Sequence, residues 1–234
     1  METLYLNDCY LKEFEATIES VKDNKYVVLD KTAFYPNSGG QPYDTGVFIR
    51  HGEEFPVVYV GKFGDVISHE VSKPGLKSGD KVNGKIDWDR RYILMRYHTA
   101  AHLLSEVIHK EIGARITGNQ LNTDKGRIDF DLENYDRDKL IEYIAQANEI
   151  IQKELPVKTY FLEREEAFKN PDLFSLKNVL PPEVKELRIV EIEGFDTKAC
   201  GGTHVKNIKE IGKIEFLKAE NKGKNNRRLY FKLV

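Results

Sequence analysis

Up to about residue 88 the apolar positions fall in short runs: Tyr26 to Leu29, Val47 to Ile49, Phe55 to Val60, Val66 to Val71 and Lys81 to Asp87. Turn residues punctuate them at Asp23-Asn24, Gly52, Gly61, Gly64, Pro74-Gly75 and Ser78-Gly79-Asp80. Many short strands with such turns predict a small β-barrel or sandwich, so residues 1–88 are expected to form an N-terminal β domain. One connection, AFYPNSGGQPYDTG over 33–46, holds more Gly, Pro, Asn and Ser than a single reversal needs. It reads as an ordinary turn, a phosphate cradle, or a catalytic tip, because Gly39-Gly40-Gln41 spells the tripeptide with which release factors cleave peptidyl-tRNA.

The period changes near Trp88. WDRRYILMRYHTAAHLLSEVIHKEIG places Ile93, Leu94, Ala101, Leu104, Val107 and Ile108 at helical spacing, with Gly113 as C-cap. ARITGNQLNTDKGRIDFDL predicts two strands joined by a tight Asp124-Lys125-Gly126 turn. NYDRDKLIEYIAQANEIIQKELP, apolar at Leu140, Ile144, Ala147 and Ile151, predicts an amphipathic helix stopped before Pro156. VKTYFL and LRIVEIEGF follow as strands, separated by a loop containing Pro171, Pro181 and Pro182, and two last strands are expected over Gly212 to Ala219 and Arg227 to Val234. Strands alternating with two long helices predict an α+β second domain over 89–234, in two layers with an antiparallel sheet on one side and helices on the other.

Composition adds little to this picture. The 234 residues, net charge of −2 and 40% hydrophobic content describe a soluble globular chain, and no apolar stretch approaches the roughly 20 residues of a membrane span. The start METLYLNDCYLKEFEA has acidic interruptions and no leading basic region, so a signal peptide is not expected and a cytoplasmic location is. A reducing compartment would leave the two cysteines, Cys9 and Cys200, as thiols. Charge is uneven: from Lys206 to Val234 lie nine of the 36 basic residues but three of the 38 acidic ones. Such a strip serves as a solvated face or as a phosphate-binding footprint, and composition does not choose between them.

The chemistry concentrates in two short motifs, His98-Thr-Ala-Ala-His102 on the first helix and Cys200-Gly-Gly-Thr-His204 about a hundred residues later. Helical residues at i and i+4 share a face about 6 Å apart, so two imidazoles there can grip one ion. Cys200 and His204 have the same spacing in a glycine-containing turn. Three nitrogens and one sulfur suit tetrahedral Zn²⁺, one per chain, and the soft thiolate disfavours Mg²⁺ and Ca²⁺. A metalloprotease would need Glu directly after the first His, where this chain has Thr99.

HTAAH paired with CGGTH, together with the upstream PNSGGQPYDTG loop, resembles the AlaX family of free-standing alanyl-tRNA editing proteins, which are related to the editing domain of alanyl-tRNA synthetase. FEA near residue 15, ITG at 116–118, RIDF at 127–130 and LEREEA at 162–167 extend the resemblance over nearly the whole chain. The form with an N-terminal β-barrel domain is the closer fit, because the shorter form lacks the GGQP loop. What the resemblance implies is a small β-barrel followed by an α+β editing domain, and a deacylase acting in trans. Its implied substrate is alanine-specific tRNA mischarged with serine, with glycine as a further candidate. A pocket shaped for alanine rejects an added hydroxyl by only about 10²-fold, so a second sieve must recognise that hydroxyl.

The resemblance makes Thr117 the residue that hydrogen-bonds the seryl hydroxyl, and the Gly39-Gly40 loop a specificity element where bare backbone permits close approach. RNA contacts would fall on the basic strip, at Lys222, Lys224, Arg227 and Arg228, and on Arg90, Arg91 and Arg96 ahead of the metal motif. Zinc would polarise the ester carbonyl, activate a water, or only organise the pocket, since four protein ligands close the tetrahedron in the manner of a structural site. Two rivals stand beside this reading. One is the related seryl-tRNA(Thr) editing domain of threonyl-tRNA synthetase, and the other is a non-catalytic, zinc-stabilised RNA-binding module. Oligomeric state is not readable from these motifs.

Overall fold

A computed structural model describes residues 1–134, 136–174 and 184–234. Pro181 and Pro182 of the expected proline-rich loop lie outside the described residues. The chain divides into two compact units, Met1–Leu94 and Met95–Val234.

In the first unit the strands are β1 (Glu2–Thr3), β2 (Glu13–Lys22), β3 (Tyr26–Leu29), β4 (Lys31–Thr32), β5 (Gly46–Arg50), β6 (Glu53–Phe63), β7 (Val66–Val71) and β8 (Lys81–Ile86). Six of them close into a barrel in the order β2-β3-β7-β6-β5-β8, with every neighbouring pair antiparallel and β8 returning to β2. Closure leaves these strands without a bare edge. Apolar runs alone do not reveal β2: Phe14, Ala16 and Ile18 are buried, while Glu13, Glu15 and Glu19 between them face solvent. The barrel is filled by aromatic rings, with Phe34 meeting Phe48 and Phe14 edge to face at 5.5 and 5.9 Å.

Two of the polar groups sealed inside this unit, His69 and Arg91, show how burial is compensated. The His69 ring donates from Nδ1 to the Val27 carbonyl at 3.1 Å, so its Nε2 accepts from the Thr32 hydroxyl at 2.8 Å. Burial holds this imidazole down at about 4, and it stays neutral. Arg91 is completely buried: Nη1 donates to the Cys9 carbonyl at 2.9 Å, Nη2 to the Ala33 carbonyl at 2.6 Å, and Nε to Asp44 at 3.0 Å. Nη2 also pairs with Asp44, whose own carboxylate accepts from the Tyr35 N–H at 2.6 Å. Arg91 is on the first turns of α1 (Trp88–Ile112), which explains why the first unit extends through Leu94.

The second unit holds β9 (Ile116–Leu121), β10 (Gly126–Phe130), α2 (Arg137–Ile151), β11 (Val157–Glu163), the single turn α3 (Arg164–Ala167), β12 (Glu186–Ile192), β13 (Asp196–Ala199), β14 (Ile214–Asn221) and β15 (Arg227–Leu233). The strands form two antiparallel sheets, β14-β15-β10-β9 and β11-β12-β13. The α+β class holds, with the strands shared between two sheets. The expected LRIVEIEGF strand is one arm of the β12–β13 hairpin. The β9–β10 reversal closes over Asn122–Lys125, where the Asn122 N–H donates to the Lys125 carbonyl at 2.9 Å. Gly126 therefore belongs to the strand and not to the turn: a Cβ there would sit 2.3 Å from the ring of Phe231.

From Tyr97 to Ile108, α1 is buried on nearly every side, unlike a surface helix with one apolar stripe. Tyr97 sets it against the larger sheet, with its ring centroid 5.8 Å from that of Phe231 and its hydroxyl accepting from the Leu233 N–H at 3.2 Å. Asn148 of α2 pairs with the edge of β14, giving and taking one hydrogen bond with the Ile214 backbone at 2.8 Å each. Gly113 ends α1 at φ 69°, donating to the His109 carbonyl at 2.7 Å.

Candidate metal centre

His98 and His102 stand one turn apart on α1, and β13 delivers Cys200 at its end. The chain then turns through Gly201-Gly202-Thr203 into His204. The ligating atoms of His98, His102, Cys200 and His204 all lie within 4.8 Å of one another. Zinc held at about 2.05 Å from nitrogen and 2.3 Å from sulfur implies a tetrahedral S···N edge of about 3.5 Å. Here Cys200 Sγ is 3.4 Å from His204 Nε2 and 3.6 Å from His98 Nε2. The donor set and its spacing fit zinc.

The surrounding residues fix which ring atom faces the centre. Thr99 donates its hydroxyl proton to the Met95 carbonyl one turn back at 3.0 Å. Its oxygen therefore accepts from His204 Nδ1 at 3.1 Å and from the Val205 N–H at 3.3 Å, leaving His204 Nε2 to face Cys200. His102 Nδ1 contacts Asp196 at 3.3 Å, and Lys198 braces that carboxylate from its other oxygen at 3.1 Å. Carboxylate and hydroxyl partners of this kind orient imidazole ligands and raise their basicity. The Arg188 guanidinium donates to the Cys200 and Gly202 carbonyls at 2.8 Å each and so clamps the CGG turn. Gly202 lies so close to His98 that a Cβ would fall 2.0 Å from its ring carbon Cε1.

Electrostatics follow this packing. Burial opposes ionisation of Cys200, but the imidazoles of His98, His204 and His102 outweigh it and hold the thiol well below its ordinary pKa. Burial and His98 hold His204 well below the ordinary imidazole value, in the neutral form a ligand needs. His102 is pushed up to about 10 against burial, by Asp196 and Cys200. Metal binding must therefore displace its proton. His98 and His204 are buried, whereas His102 and Cys200 are only partly buried, so these two form the more accessible side of the cluster.

Comparison with known proteins agrees with this architecture. Residues 5–90 match the family described as tRNA synthetases class II (A), and residues 187–230 match the threonyl and alanyl tRNA synthetase second additional domain. The alanyl-tRNA editing protein AlaX-M of Methanosarcina barkeri is 56% identical over 100% of this chain and 99% of its own length. That of Saccharolobus solfataricus is 47% identical over 98% of each. The chain belongs to the AlaX-M family. It also covers 24% of the alanine–tRNA ligase of Pyrococcus abyssi at 42% identity, which makes the family the counterpart of one segment of that longer protein.

Within this chain the other sequence-derived candidates fall in varied places. Thr117 sits at a bulge: Gly118 faces Asp129 and Ile116 faces Phe130, which leaves Thr117 as the extra residue. It is exposed, and its hydroxyl makes no hydrogen bond among the described residues. Ser38-Gly39-Gly40-Gln41 is a two-residue hairpin turn with reciprocal backbone bonds at 3.2 and 2.9 Å, and both glycines have positive φ, 57° and 81°. Gln41 is fully buried, so this tripeptide is not an exposed catalytic tip.

Two RNA-contact candidates are corrected by the structure. Arg91 is sealed in the barrel unit with its guanidinium bound to Asp44 and two carbonyls, so no phosphate reaches it. Arg227 is buried too, its Nη1 turned back on Asn221 Oδ1 and the Gly223 carbonyl at 2.7 and 2.6 Å, where it ties the β14–β15 turn. Arg228 forks onto both oxygens of Asp129 at 2.7 and 2.9 Å. Arg90 is half-buried and donates to the Tyr43 carbonyl at 3.0 Å, and Arg96 donates to the Ile211 carbonyl at 2.8 Å. Lys222 pairs with Glu220 at 2.8 Å, and Lys224 is exposed. Sequence reasoning passes over Thr99, Arg188 and Asp196. A hydroxyl one residue after His98 was the available signal for Thr99, and the other two carry none.

Proposed function

We propose that this chain is a trans-acting aminoacyl-tRNA ester hydrolase that removes serine, and glycine as a second substrate, from tRNA(Ala). The observation that carries the reading is the four-donor cluster, in which Cys200 Sγ stands at tetrahedral-edge distance from two imidazole nitrogens, in a chain that matches AlaX-M relatives end to end. When bound, zinc supplies Lewis-acid polarisation of the ester carbonyl or of an attacking water.

The chain's own residues set the remainder of the chemistry. Asp196 and Thr99 hold His102 and His204 in the ring orientation and tautomer that present Nε2. Arg188 and Gly202 keep the CGG turn against His98, and the more accessible side at His102 and Cys200 is where the acylated end of the tRNA approaches. Thr117 hydrogen-bonds the seryl hydroxyl. The alanyl ester offers no such group, so selectivity rests on a hydroxyl partner gained by the substrate to be destroyed. The Gly39-Gly40 turn serves as the specificity loop, its positive φ angles presenting bare backbone.

The test is deacylation of seryl-, glycyl- and alanyl-tRNA(Ala), with seryl-tRNA(Thr) alongside, by wild type, Cys200→Ala and Thr117→Val. Expected are loss of zinc and activity with Cys200→Ala and weakened protection of the alanyl ester with Thr117→Val. Preferential hydrolysis of seryl-tRNA(Thr) would move the protein to the threonine branch, since the second matched domain is shared by both synthetases. Four protein donors also favour a second reading, a zinc-stabilised RNA-binding module, which requires tRNA binding with no hydrolysis by the zinc-loaded protein.

A further inference from the structure

The larger sheet of the second unit has a face with a distinct chemistry. Along β15, Arg227, Leu229 and Phe231 are buried, while Arg228 and Tyr230 between them are partly exposed. Register aligns four side chains in one row across the sheet: Gln120 of β9 faces Arg127 of β10, Arg127 faces Tyr230 of β15, and Tyr230 faces Lys218 of β14. Because side chains alternate along strands, directly paired residues share a face. The row lies in a depression of about 580 Å³, which Asn122 and Lys125 extend at the β9–β10 turn. Among the described residues, three cations, two amides, an aromatic ring and the apolar Leu217 line it, and no carboxylate does.

The cations differ in how far they are committed. Arg228, next along β15, binds both oxygens of Asp129, so Arg127 is left with a 3.8 Å contact to the same carboxylate and an Nε without a hydrogen-bond partner among the described residues. Lys218 pairs with Glu220 and lies 4.6 Å above the Tyr230 ring, and among the described residues Lys125 has an ion pair only with Asp124, at 3.6 Å. Exposed pairs of this kind contribute little net stability and exchange readily for a stronger anion. Guanidinium and ammonium groups suit phosphate oxygens, amides suit ribose hydroxyls, and a partly exposed tyrosine ring suits contact with a sugar or base.

We propose that this sheet face, centred on Arg127, Tyr230 and Lys218, binds the sugar–phosphate backbone of tRNA. The proposal rests on the reading that tRNA is the substrate. It replaces Arg227 and Arg228, whose guanidiniums are engaged within the chain, by a group of cations in the middle of the sheet. Contacts to phosphate set affinity and its salt dependence without selecting sequence.

The experiment measures binding of uncharged tRNA by the zinc-loaded protein at several salt concentrations, with deacylation of seryl-tRNA(Ala) followed separately. Arg127→Gln and Lys218→Gln are each expected to weaken binding about 3- to 10-fold and to lower the slope of log affinity against log salt by about 1, and their combination by about 2. KM should rise while kcat at saturation holds, and Lys139→Gln on α2 should change neither. Urea midpoints check folding, and Lys218→Glu gives a larger loss at an exposed position. If wild type binds and deacylates but the double variant keeps its affinity and salt slope, this surface is wrong while the functional reading stands. If wild type neither binds nor deacylates tRNA, both fail. If the variants instead dissociate a dimer and leave tRNA affinity unchanged, the face is a contact between copies and the proposal is overturned.

Discussion

The two glycines of the CGG turn should respond in opposite ways to the same added methyl group. At Gly202 a Cβ would fall 2.0 Å from His98 Cε1, 2.4 Å from Nδ1 and 3.1 Å from Nε2. Ordinary contact begins near 3.4 Å, so ring or turn must move by about 1.4 Å. The ring has little freedom, because His98 is 4% exposed on a helix buried around it, and the turn is clamped by Arg188. Metal sites tolerate about 0.2 Å in ligand distance, so a displacement several times larger removes His98 or Cys200 from the ligand set. At Gly201 nothing lies within 4 Å of the point a methyl group would occupy, and its φ is not in the left-handed region. Gly201→Ala is therefore the internal control. Zinc content after dialysis and competition with a chromogenic chelator report the outcome. Gly202→Ala should lose more than the roughly 10- to 100-fold in affinity typical of a lost supporting contact, while Gly201→Ala stays near wild type. Full zinc occupancy and wild-type deacylation in Gly202→Ala would refute the close approach and the assignment of His98 as a ligand.

Thr99→Val should weaken zinc about 10- to 100-fold by removing the acceptor of His204 Nδ1 and Val205 N–H, with Thr99→Ser restoring it in the same chelator competition. His69 has a native value of about 4 against an ordinary 6.5, so below pH 6.5 the unfolded chain takes up a proton that the native barrel refuses. Stability contributed above pH 6.5 should then be lost as pH falls toward 4, by about 3 kcal/mol in all, and urea titrations of wild type and His69→Gln should differ by that slope. Arg91→Met should destabilise the first unit by about 3–5 kcal/mol by stranding Asp44 without its partner, leaving the tRNA affinity of the folded fraction unchanged in filter binding. Removing zinc with a chelator should abolish seryl-tRNA(Ala) deacylation, and readdition of Zn²⁺ should restore it.

What the sequence disclosed and what it concealed divide along physical lines. Helix α1, the barrel strands with continuous apolar runs and the four candidate metal donors that the fold brings together are local patterns, carried by periodicity or by i, i+4 spacing. β2 is not legible as an apolar run because glutamates interrupt it, and its alternation of buried and exposed positions holds only from Glu13 to Ile18. Gly126 looked like a turn glycine, yet what demands it is the Phe231 ring about a hundred residues away. Thr99, Asp196 and Arg188 were similarly illegible, since each acts through a partner brought close only by the fold.

Basic residues gave the most misleading signal, and the reason is general. A charge count registers each arginine equally, whereas binding depends on whether its guanidinium is already engaged. Arg91 is turned onto Asp44 and two carbonyls, Arg227 onto the Asn221 amide oxygen and the carbonyls of its own turn, and Arg228 is held by Asp129. Arg127 contributes the same charge to the count, lies outside the basic C-terminal strip, and alone of these four has a buried Nε with no hydrogen-bond partner among the described residues. Asp129 explains the difference, because a carboxylate that accepts two bonds from Arg228 has little left for a neighbour at 3.8 Å. Asp129→Asn should therefore weaken the hold on Arg228 and free a second cation on the sheet. If the sheet binds RNA, tRNA affinity and its salt slope should both rise, and a fall in both would show that Asp129 instead holds the arginines in their binding geometry.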